Sequence, residues 1–480
     1  MTTIYNLAFD FGASGGRLMM SAFDGDNGGK IRLTELHRFP NEPVFINGTL
    51  TWDIYRLTFE MKEGLKKAAA LGHPYAGIGI DTWGVDYGLL DADGTLTGAP
   101  VNYRDARTAH SIEDAATLVP LAEIYASTGI QFMPFNTVYQ LLADKQTRPG
   151  VYANAAALLF IPDLLAYFLT GVQVCEYTNA STSQLLNAAK RDWDRDLAAR
   201  LGLRTDLLPA LTMPGTVIGA LSDSVRKETG LGAVPVIAVG SHDTASAVAG
   251  TPFDDPDAAF LSCGTWSLLG VETLAPIISE DSFQSNFTNE GGVENTIRFL
   301  KNINGLWILQ QLRKSWNEKN GVTLGFGDIV AAARKADNNA FAIDPSAPVF
   351  LAPLDMAAEI AAYCAAHGQG TPSGIGEHAI AAYNGLTKEY KTHMDTLARL
   401  VGHPIDVVNM IGGGIQDELL CEMTARVTGR TIVAGPIEGS VLGNVLMQLK
   451  AGGHIASLAE GRALIQKSFP RKIYKGGDGQ

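Results

Sequence analysis

The chain has 480 residues, 46% of them apolar and 18% charged, and a formal net charge of −13. That length exceeds what one hydrophobic core serves, so two domains are expected, and the balance of apolar to charged residues excludes a disordered chain. The acidic balance excludes a nucleic-acid partner, which needs clustered Lys and Arg, but not a small phosphate held by backbone dipoles or a metal ion.

The first hundred residues read mainly as strands: Ile4–Phe9, Leu18–Phe23, Ile31–Phe39, Gly77–Asp81 and Val85–Leu90. Between them, Leu57, Met61, Leu65 and Ala68 recur at helical spacing and predict a helix over Leu57–Leu71. Residues from Ile112 to about Arg195 read as mainly helical, with Gly171 as a stop. The longest apolar stretch, Ala155–Leu169, carries Pro162 and Asp163 and is expected to be a core helix, not a membrane span. A short buried strand, Pro235–Val239, leads into Gly240-Ser241-His242-Asp243-Thr244 and a helix of small residues. The turn formers of Gly250–Asp257 place a domain boundary there. Ala258–Gly270 then repeats the strand, small turn, strand pattern of the N-terminus. Helices are expected at Asn304–Arg313, Ile329–Ala336 and Glu418–Thr428, and a strand at Asp406–Ile411 just before Gly412-Gly413-Gly414. Ala347–Gly376, rich in Ala, Gly and Pro, reads as an insertion or lid without an assigned structure. Cys175, Cys263, Cys364 and Cys421 lie far apart and read as scattered buried thiols. No basic region followed by an apolar one opens the chain, so a cytoplasmic protein without a membrane partner is expected.

The chemistry concentrates at the turns. Asp10-Phe11-Gly12-Ala13-Ser14-Gly15-Gly16-Arg17 joins two strands through residues too small to block a ligand, and backbone N–H groups in such a turn form a nest for phosphate. The second hairpin, around Gly264-Thr265, suggests a related domain gripping the same anion. No Gly-Lys-Ser/Thr ends either turn, which excludes a P-loop. Asp10 is the candidate Mg²⁺ ligand, through water, because that ion keeps part of its hydration shell. Gly412-Gly413-Gly414 between strand and helix would let adenosine lie on bare backbone, or would serve close helix–strand packing. Ser241-His242-Asp243 is no triad, since adjacent residues cannot fold onto one another. Asp243 near a helix start is a candidate general base, or simply a helix cap. One base, one metal carboxylate and two phosphate turns are sufficient parts for a kinase.

Six runs carry a family resemblance: Asp10–Arg17, Gly79–Asp86 (GIDTWGVD), Tyr103–Thr108 (YRDART), Ser241–Val248 (SHDTASAV), Ser262–Ser267 (SCGTWS) and Leu300–Trp307 (LKNINGLW). They resemble the FGGY carbohydrate kinases of the actin-like ATPase superfamily, and within them the members that act on L-rhamnulose. The resemblance implies an α/β fold of two actin-like (ribonuclease H-like) domains flanking an ATP/sugar cleft. Residues 1–249 would bind the sugar and 250–480 the ATP. It further implies that Ala13, Ser14, Gly15, Gly16, Arg17, Thr265, Gln310 and Gly413 contact ATP. Gly84, His242, Asp243, Thr244 and Asn302 would bind the sugar, with Thr82 and Trp83 lining its pocket and Asp243 accepting the proton. ATP with Mg²⁺ would phosphorylate the C1 hydroxyl of L-rhamnulose; L-fuculose is the alternative ketose, and a non-catalytic actin-like switch the alternative class. Oligomeric state stays open between monomer and homodimer. Two positions depart from the family: Gly15 stands where Ser is common, and Asp417 where Asn is frequent, and an ionised Asp cannot donate to adenine as an amide can.

Overall fold

The computed structural model describes residues 3–25, 29–336, 338–351 and 353–477. They form two compact units. The first comprises Met1–Pro252, Glu272–Phe299 and Gly439–Phe469, and the second Phe253–Val271, Leu300–Glu438 and Pro470–Gln480. The first change of unit falls after Pro252, three residues beyond the end of the expected 1–249 domain. Two later segments, Glu272–Phe299 and Gly439–Phe469, return to the first unit, which a single cut of the sequence at 249/250 does not include.

The first unit is built on a six-stranded sheet. Its strands are β1 (Ile4–Gly12), β2 (Gly15–Asp24), β3 (Lys30–Pro40), β4 (Tyr75–Thr82), β5 (Val217–Ala220) and β6 (Pro235–Ile237), in the order β3-β2-β1-β4-β6-β5. β1 runs antiparallel to β2 and parallel to β4, and β4 parallel to β6. Leu7, Ala8, Phe9 and Phe11 of β1 are fully buried, as expected for a central strand covered on both faces. The predicted helix spans Ile54–Ala70; Asp53 caps it by accepting from the Arg56 amide at 3.0 Å, and Leu57, Met61, Leu65 and Ala68 face inward. Each of those larger side chains contributes about 1.5–3 kcal/mol on burial.

The second unit repeats this plan. Its sheet carries β7 (Ala259–Cys263), β8 (Trp266–Thr273), β9 (Ile297–Asn304), β10 (Val407–Ile411), β11 (Thr431–Ala434) and β12 (Lys472–Tyr474) in the order β9-β8-β7-β10-β11-β12, with a seventh strand, Thr288–Gly291, next to β9; that strand and the ends of β8 and β9 at Glu272–Thr273 and Ile297–Phe299 belong to the first unit. β7 is antiparallel to β8 and parallel to β10, β10 is parallel to β11, and β12 closes the edge antiparallel. Through five strands the order matches that of the first sheet, so the duplication legible in the two hairpins extends through the topology; the edge strand differs, since β5 precedes β6 in the chain whereas β12 follows β11.

The helix Asp243–Ala249 follows β6, and the helix Gly439–Ala451 follows β11; both belong to the first unit and pack together. Their backbones touch because glycines line the contact. A Cβ on Gly443 would stand 1.8 Å from the Ser246 carbonyl oxygen, and one on Gly250 would stand 2.3 Å from that of Gly439. From the second of these helices, Gln448 donates to Leu7 O (2.9 Å) and Asn444 to Asp81 Oδ2 (2.6 Å). Gly77 and Gly79 in β4 leave room for those two amides.

Several expected elements differ in detail. Ala155–Leu169 divides into a strand, Ala157–Phe160, and a helix, Ile161–Thr170, because Pro162 favours the first turn of a helix over its interior. Gly171, at φ 76°, ends that helix as predicted. The strand expected at Val85 starts at Tyr87, since Val85 sits at φ 66°, and it pairs with Ala157–Phe160 in a separate two-stranded sheet. The helix expected from Asn304 begins at Trp307, Asn304 being the last residue of β9. Within Ala347–Gly376 the chain forms a short 3₁₀ turn at Pro348–Phe350 and a helix at Met356–Ala366, then enters the helix Gly374–Val401; residue 352 lies outside the described residues. All four cysteines are buried and without a disulfide. Among the described residues no helix is long and apolar enough to cross a membrane.

Candidate active site

In the first unit, the sheet register places carboxylates side by side. Asp10 on β1 stands opposite Arg17 on β2 and beside Asp81 on parallel β4. Arg17 donates through Nε (3.0 Å) and Nη2 (2.7 Å) to Asp10 Oδ2, so the guanidinium expected on phosphate rests on the candidate metal carboxylate. Beside it, Ala13 and Ser14 form the turn, and Asn41 braces it by donating to Gly12 O at 2.9 Å. Gly16 serves packing, since a Cβ there would meet the Phe39 ring at 2.4 Å. At Gly15 an added Cβ would sit 3.2 Å from Phe39 O, a tight fit for any side chain. Among the described residues no three His, Cys, Asp or Glu side chains converge as a metal cluster. The oxygen donors of Asp10 nevertheless suit a hydrated Mg²⁺.

Asp81 has no solvent exposure, and its Oδ1 has no hydrogen-bond partner. Burial, with the neighbouring charges of Asp10 and Asp243, holds its carboxyl well above the usual range, against the lowering effect of the Asn444 bond. Asp81 lies within the GIDTWGVD run, whose motif gives this carboxyl no role of its own. An acid inside an otherwise apolar parallel strand was the available signal.

The loop after β6 is held by an internal clamp. Glu176, buried, accepts from Ser241 Oγ (2.5 Å) and Thr178 Oγ1 (2.6 Å), and Thr178 Oγ1 accepts from the His242 amide (3.3 Å). Ser241 O in turn accepts from the Thr82 amide at 2.9 Å, tying the loop to the end of β4. His242 is the N-cap residue of Asp243–Ala249, without a side-chain cap bond, and Asp243 opens the helix. The cap reading of Asp243 therefore gives way, and its side chain is largely buried, 31% exposed. Burial raises its pKa first, Asp10 adds to that, and His242 and Thr244 oppose it, so the carboxylate is a stronger base than usual.

Gly84, His242, Asp243 and Thr244 come together as expected. A Cβ on Gly84 would lie 3.4 Å from His242 Nε2 and 3.1 Å from Thr182 Oγ1; Thr244 Oγ1 donates to Asp243 Oδ1 at 3.2 Å. Next to Gly84, Val85 holds a left-handed conformation that costs a β-branched residue about 1–3 kcal/mol. It is pinned there by Thr182 Oγ1 on its amide (3.0 Å) and Thr137 Oγ1 on its carbonyl (2.7 Å). Trp83 does not offer the open face expected of it. It is 6% exposed, lies against Trp52 at 4.2 Å between ring centroids, and donates to Asp86 Oδ2 at 3.1 Å. Thr82 is likewise turned inward, its hydroxyl on the Trp83 carbonyl. Asp86 also accepts from Trp52 Nε1 (2.6 Å), the Tyr103 amide (3.1 Å) and Gln140 Nε2 (2.8 Å). Burial outweighs these bonds and pushes its pKa up to about 6.

In the second unit, three segments meet. The Gly305 and Trp307 amides donate to Thr265 O (both 3.2 Å) and the Leu306 amide to Gly264 O (3.1 Å), which docks the β7–β8 turn on the start of the helix Trp307–Asn320. Gln310 lies one turn into that helix, its amide on Leu306 O. The glycine triplet divides its work. Gly412 and Gly414 are packing glycines, their added Cβ atoms coming 2.8 Å from Cys263 O and 2.7 Å from Cys263 Cβ. Gly413 is exposed with nothing within 4 Å, leaving bare backbone to a ligand. Asp417 is occupied: it caps the helix Glu418–Thr428 through the Leu420 amide (3.2 Å) and accepts the Tyr383 hydroxyl. Asn302 belongs to this unit, on β9.

Two sheets, each opened by a small-residue hairpin, with an activated carboxylate beside His242 in one unit and an open glycine in the other, define a sugar kinase of the actin-like type. The chain belongs to the FGGY family of carbohydrate kinases, whose N-terminal domain matches residues 5–250 and C-terminal domain residues 259–452. It is 42% identical to a rhamnulokinase of Enterococcus faecalis, covering 98% of this chain and 94% of that one. Rhamnulokinases of Bacteroides thetaiotaomicron (41%; 97% and 95% covered) and Bacillus subtilis (38%; 97% and 94%) are similar over the same extent. Among solved structures, ligand-bound xylulose kinase from Lactobacillus acidophilus superposes with a TM-score of 0.78 at 18% identity, covering 98% of this chain and 94% of that one. Plasmodium falciparum glycerol kinase with ADP gives 0.77 at 14%, covering 99% and 94%, and shares the fold.

Proposed function

We propose that this carbohydrate kinase transfers the γ-phosphoryl group of ATP to the C1 hydroxyl of L-rhamnulose. The carrying observation is Asp243, a carboxylate of raised basicity held beside His242, whose Nε2 faces Gly84. A switch that binds ATP without an acceptor has no use for such a base. The relatives named rhamnulokinase, similar over nearly the whole chain, support the choice of ketose. In the reaction, Asp243 takes the proton of the C1 hydroxyl, the C1 oxygen bonds to the γ-phosphorus, and the bond to the β,γ-bridging oxygen breaks to release ADP.

The remaining assignments are those that the family resemblance implies. Ala13, Ser14, Gly15, Gly16 and Arg17 present the first phosphate turn and Thr265 the second, while Gln310 and Gly413 border the nucleoside. Gly84, His242, Thr244 and Asn302 hold the sugar. Asp10 would hold Mg²⁺ through water, and the ion, when bound, neutralises charge on the phosphates. Expected in a coupled ADP-release assay across ketoses is the highest kcat/KM for L-rhamnulose, less for L-fuculose, and little for D-xylulose or glycerol, with phosphate on C1 of the product. D-xylulose or glycerol as the best acceptor would overturn the ketose assignment.

A further inference from the structure

Behind His242, on the side away from Gly84, lies a buried pair that sequence reasoning did not single out. Arg298, on β9, has no solvent exposure and Glu290 is 4% exposed; Arg298 Nη1 approaches Glu290 Oε2 at 3.1 Å. Arg298 is aligned by a second bond, Nε to Gly291 O at 3.0 Å. Its Nη1 also lies 3.2 Å from His242 Nδ1 in hydrogen-bonding geometry. Glu290 Oε2 is 3.4 Å from the same nitrogen, farther from it than from the guanidinium. On its other edge the imidazole turns Nε2 toward Gly84, where an added Cβ would lie 3.4 Å from it, with Asp243 Oδ1 also at 3.4 Å.

A guanidinium has only donors, so an imidazole nitrogen that it meets must be the acceptor. The proton of a neutral ring then resides on the other nitrogen. We propose that Arg298, itself held by Glu290, is a positioning residue that fixes His242 in the Nε2–H tautomer and so sets what the sugar pocket reads. His242 then presents a hydrogen-bond donor, not a lone pair, to the acceptor molecule. It recognises an oxygen lone pair on the ketose, a carbonyl or hydroxyl oxygen, and takes no proton from it. Proton removal is left to Asp243 alone, although an imidazole stands beside that carboxylate. This proposal rests on the sugar-kinase reading for its consequence, but the tautomer itself is a property of the free protein.

The test uses the full chain labelled with ¹⁵N-histidine, at about pH 8 where imidazoles are neutral. Long-range ¹H–¹⁵N correlation distinguishes the two ring nitrogens, and His242→Gln assigns the signal. The expected result is a protonated Nε2 and a lone pair on Nδ1; a protonated Nδ1, bonded to Glu290 instead, overturns the proposal whatever the enzyme's substrate. Two kinetic comparisons follow. Gln places its amide nitrogen near the position of Nε2 and Asn near that of Nδ1, so His242→Asn should raise KM for the ketose at least roughly tenfold more than His242→Gln, the loss of one buried hydrogen bond. An equal or opposite ranking overturns the proposal. Arg298→Met with Glu290→Leu removes both buried charges together, so neither is left unpaired. In that double variant the His242 signal should lose its single-tautomer signature and KM should rise more than kcat falls. An unchanged signature would show that Arg298 does not set the tautomer.

Discussion

Gly443→Ala is the sharpest test of how the catalytic helix is held. The added methyl carbon would lie 1.8 Å from Ser246 O, 2.5 Å from its carbonyl carbon and 2.9 Å from its Cα. Ordinary carbon contacts need about 3.5 Å, so the two helices must part by about 1.7 Å or more. Neither side can yield by a rotamer change, because all three atoms are backbone. Overpacking of this kind costs about 1–3 kcal/mol. Moving Asn444, the next residue, away from Asp81 leaves a buried carboxyl without its 2.6 Å partner and adds about 1–3 kcal/mol. Together the expected loss is about 2–6 kcal/mol, read as a lower urea midpoint. Ser246 also lies one turn beyond Asp243, so a displacement of about 1 Å should carry to the base and lower kcat about 100-fold. Gly150→Ala is the control: that helical glycine has nothing within 4 Å of its added Cβ. It should leave kcat unchanged and stabilise by about 0.5–1 kcal/mol. A Gly443→Ala enzyme with the wild-type midpoint and turnover would refute the close helix contact and the reasoning built on it.

Asp243→Asn should leave nucleotide and sugar binding near wild type while kcat falls about 10²–10⁴-fold, and near-normal turnover would remove Asp243 from the mechanism. Gly413→Val should fold normally, since nothing lies within 4 Å of its added Cβ, while KM for ATP rises strongly; an unchanged KM would move the nucleoside elsewhere. Asp86 predicts a pH dependence. Its folded pKa of about 6 stands above the ordinary 3.8, so the folded state holds the proton more tightly. Its contribution to stability is therefore present at low pH and lost as pH rises through about 4 to about 6, by about 3 kcal/mol at most. Urea melts of Asp86→Asn should show a shallower fall across that window, and an identical slope would locate the titrating group elsewhere.

The duplication was legible because a hairpin of small residues cannot hide in an apolar strand pattern, and both copies carry one. Helix Glu418–Thr428 was legible to the residue because Asp417 caps it and Gly429 stops it. The helix expected from Asn304 was misplaced at its start, because the polar residues before Trp307 serve a strand and a turn bonded to Gly264 and Thr265, contacts of a kind that helical periodicity does not register. At the site, Asp10, Gly84, His242 and Asp243 could be named from motifs, whereas Asp81, Glu176, Glu290 and Arg298 could not. Their roles arise from strand register and from partners scores of residues away, as in the Ser241–Glu176 and His242–Arg298 bonds. Strain was not legible either: in Trp83-Gly84-Val85 the left-handed residue is the β-branched Val85, not the glycine.

The return of Gly439–Phe469 to the first unit bears on how the protein is made. Val441, Leu442, Val445 and Leu446 from that segment share one core with Ala8, Met19 and Ile31. A ribosome that has released Pro252 must add 187 more residues before Gly439 exists (439 − 252). At about 5–20 residues per second, that is about 10–40 s during which the apolar face awaiting those side chains stays uncovered. Such transiently exposed apolar surface is of the kind that holdase chaperones cover. A chain broken off before Gly439 lacks Asn444 for Asp81 and the glycine seat beneath the Asp243 helix. Premature fragments therefore carry the whole catalytic motif without its support, and the cell is spared a half-made enzyme that could spend ATP.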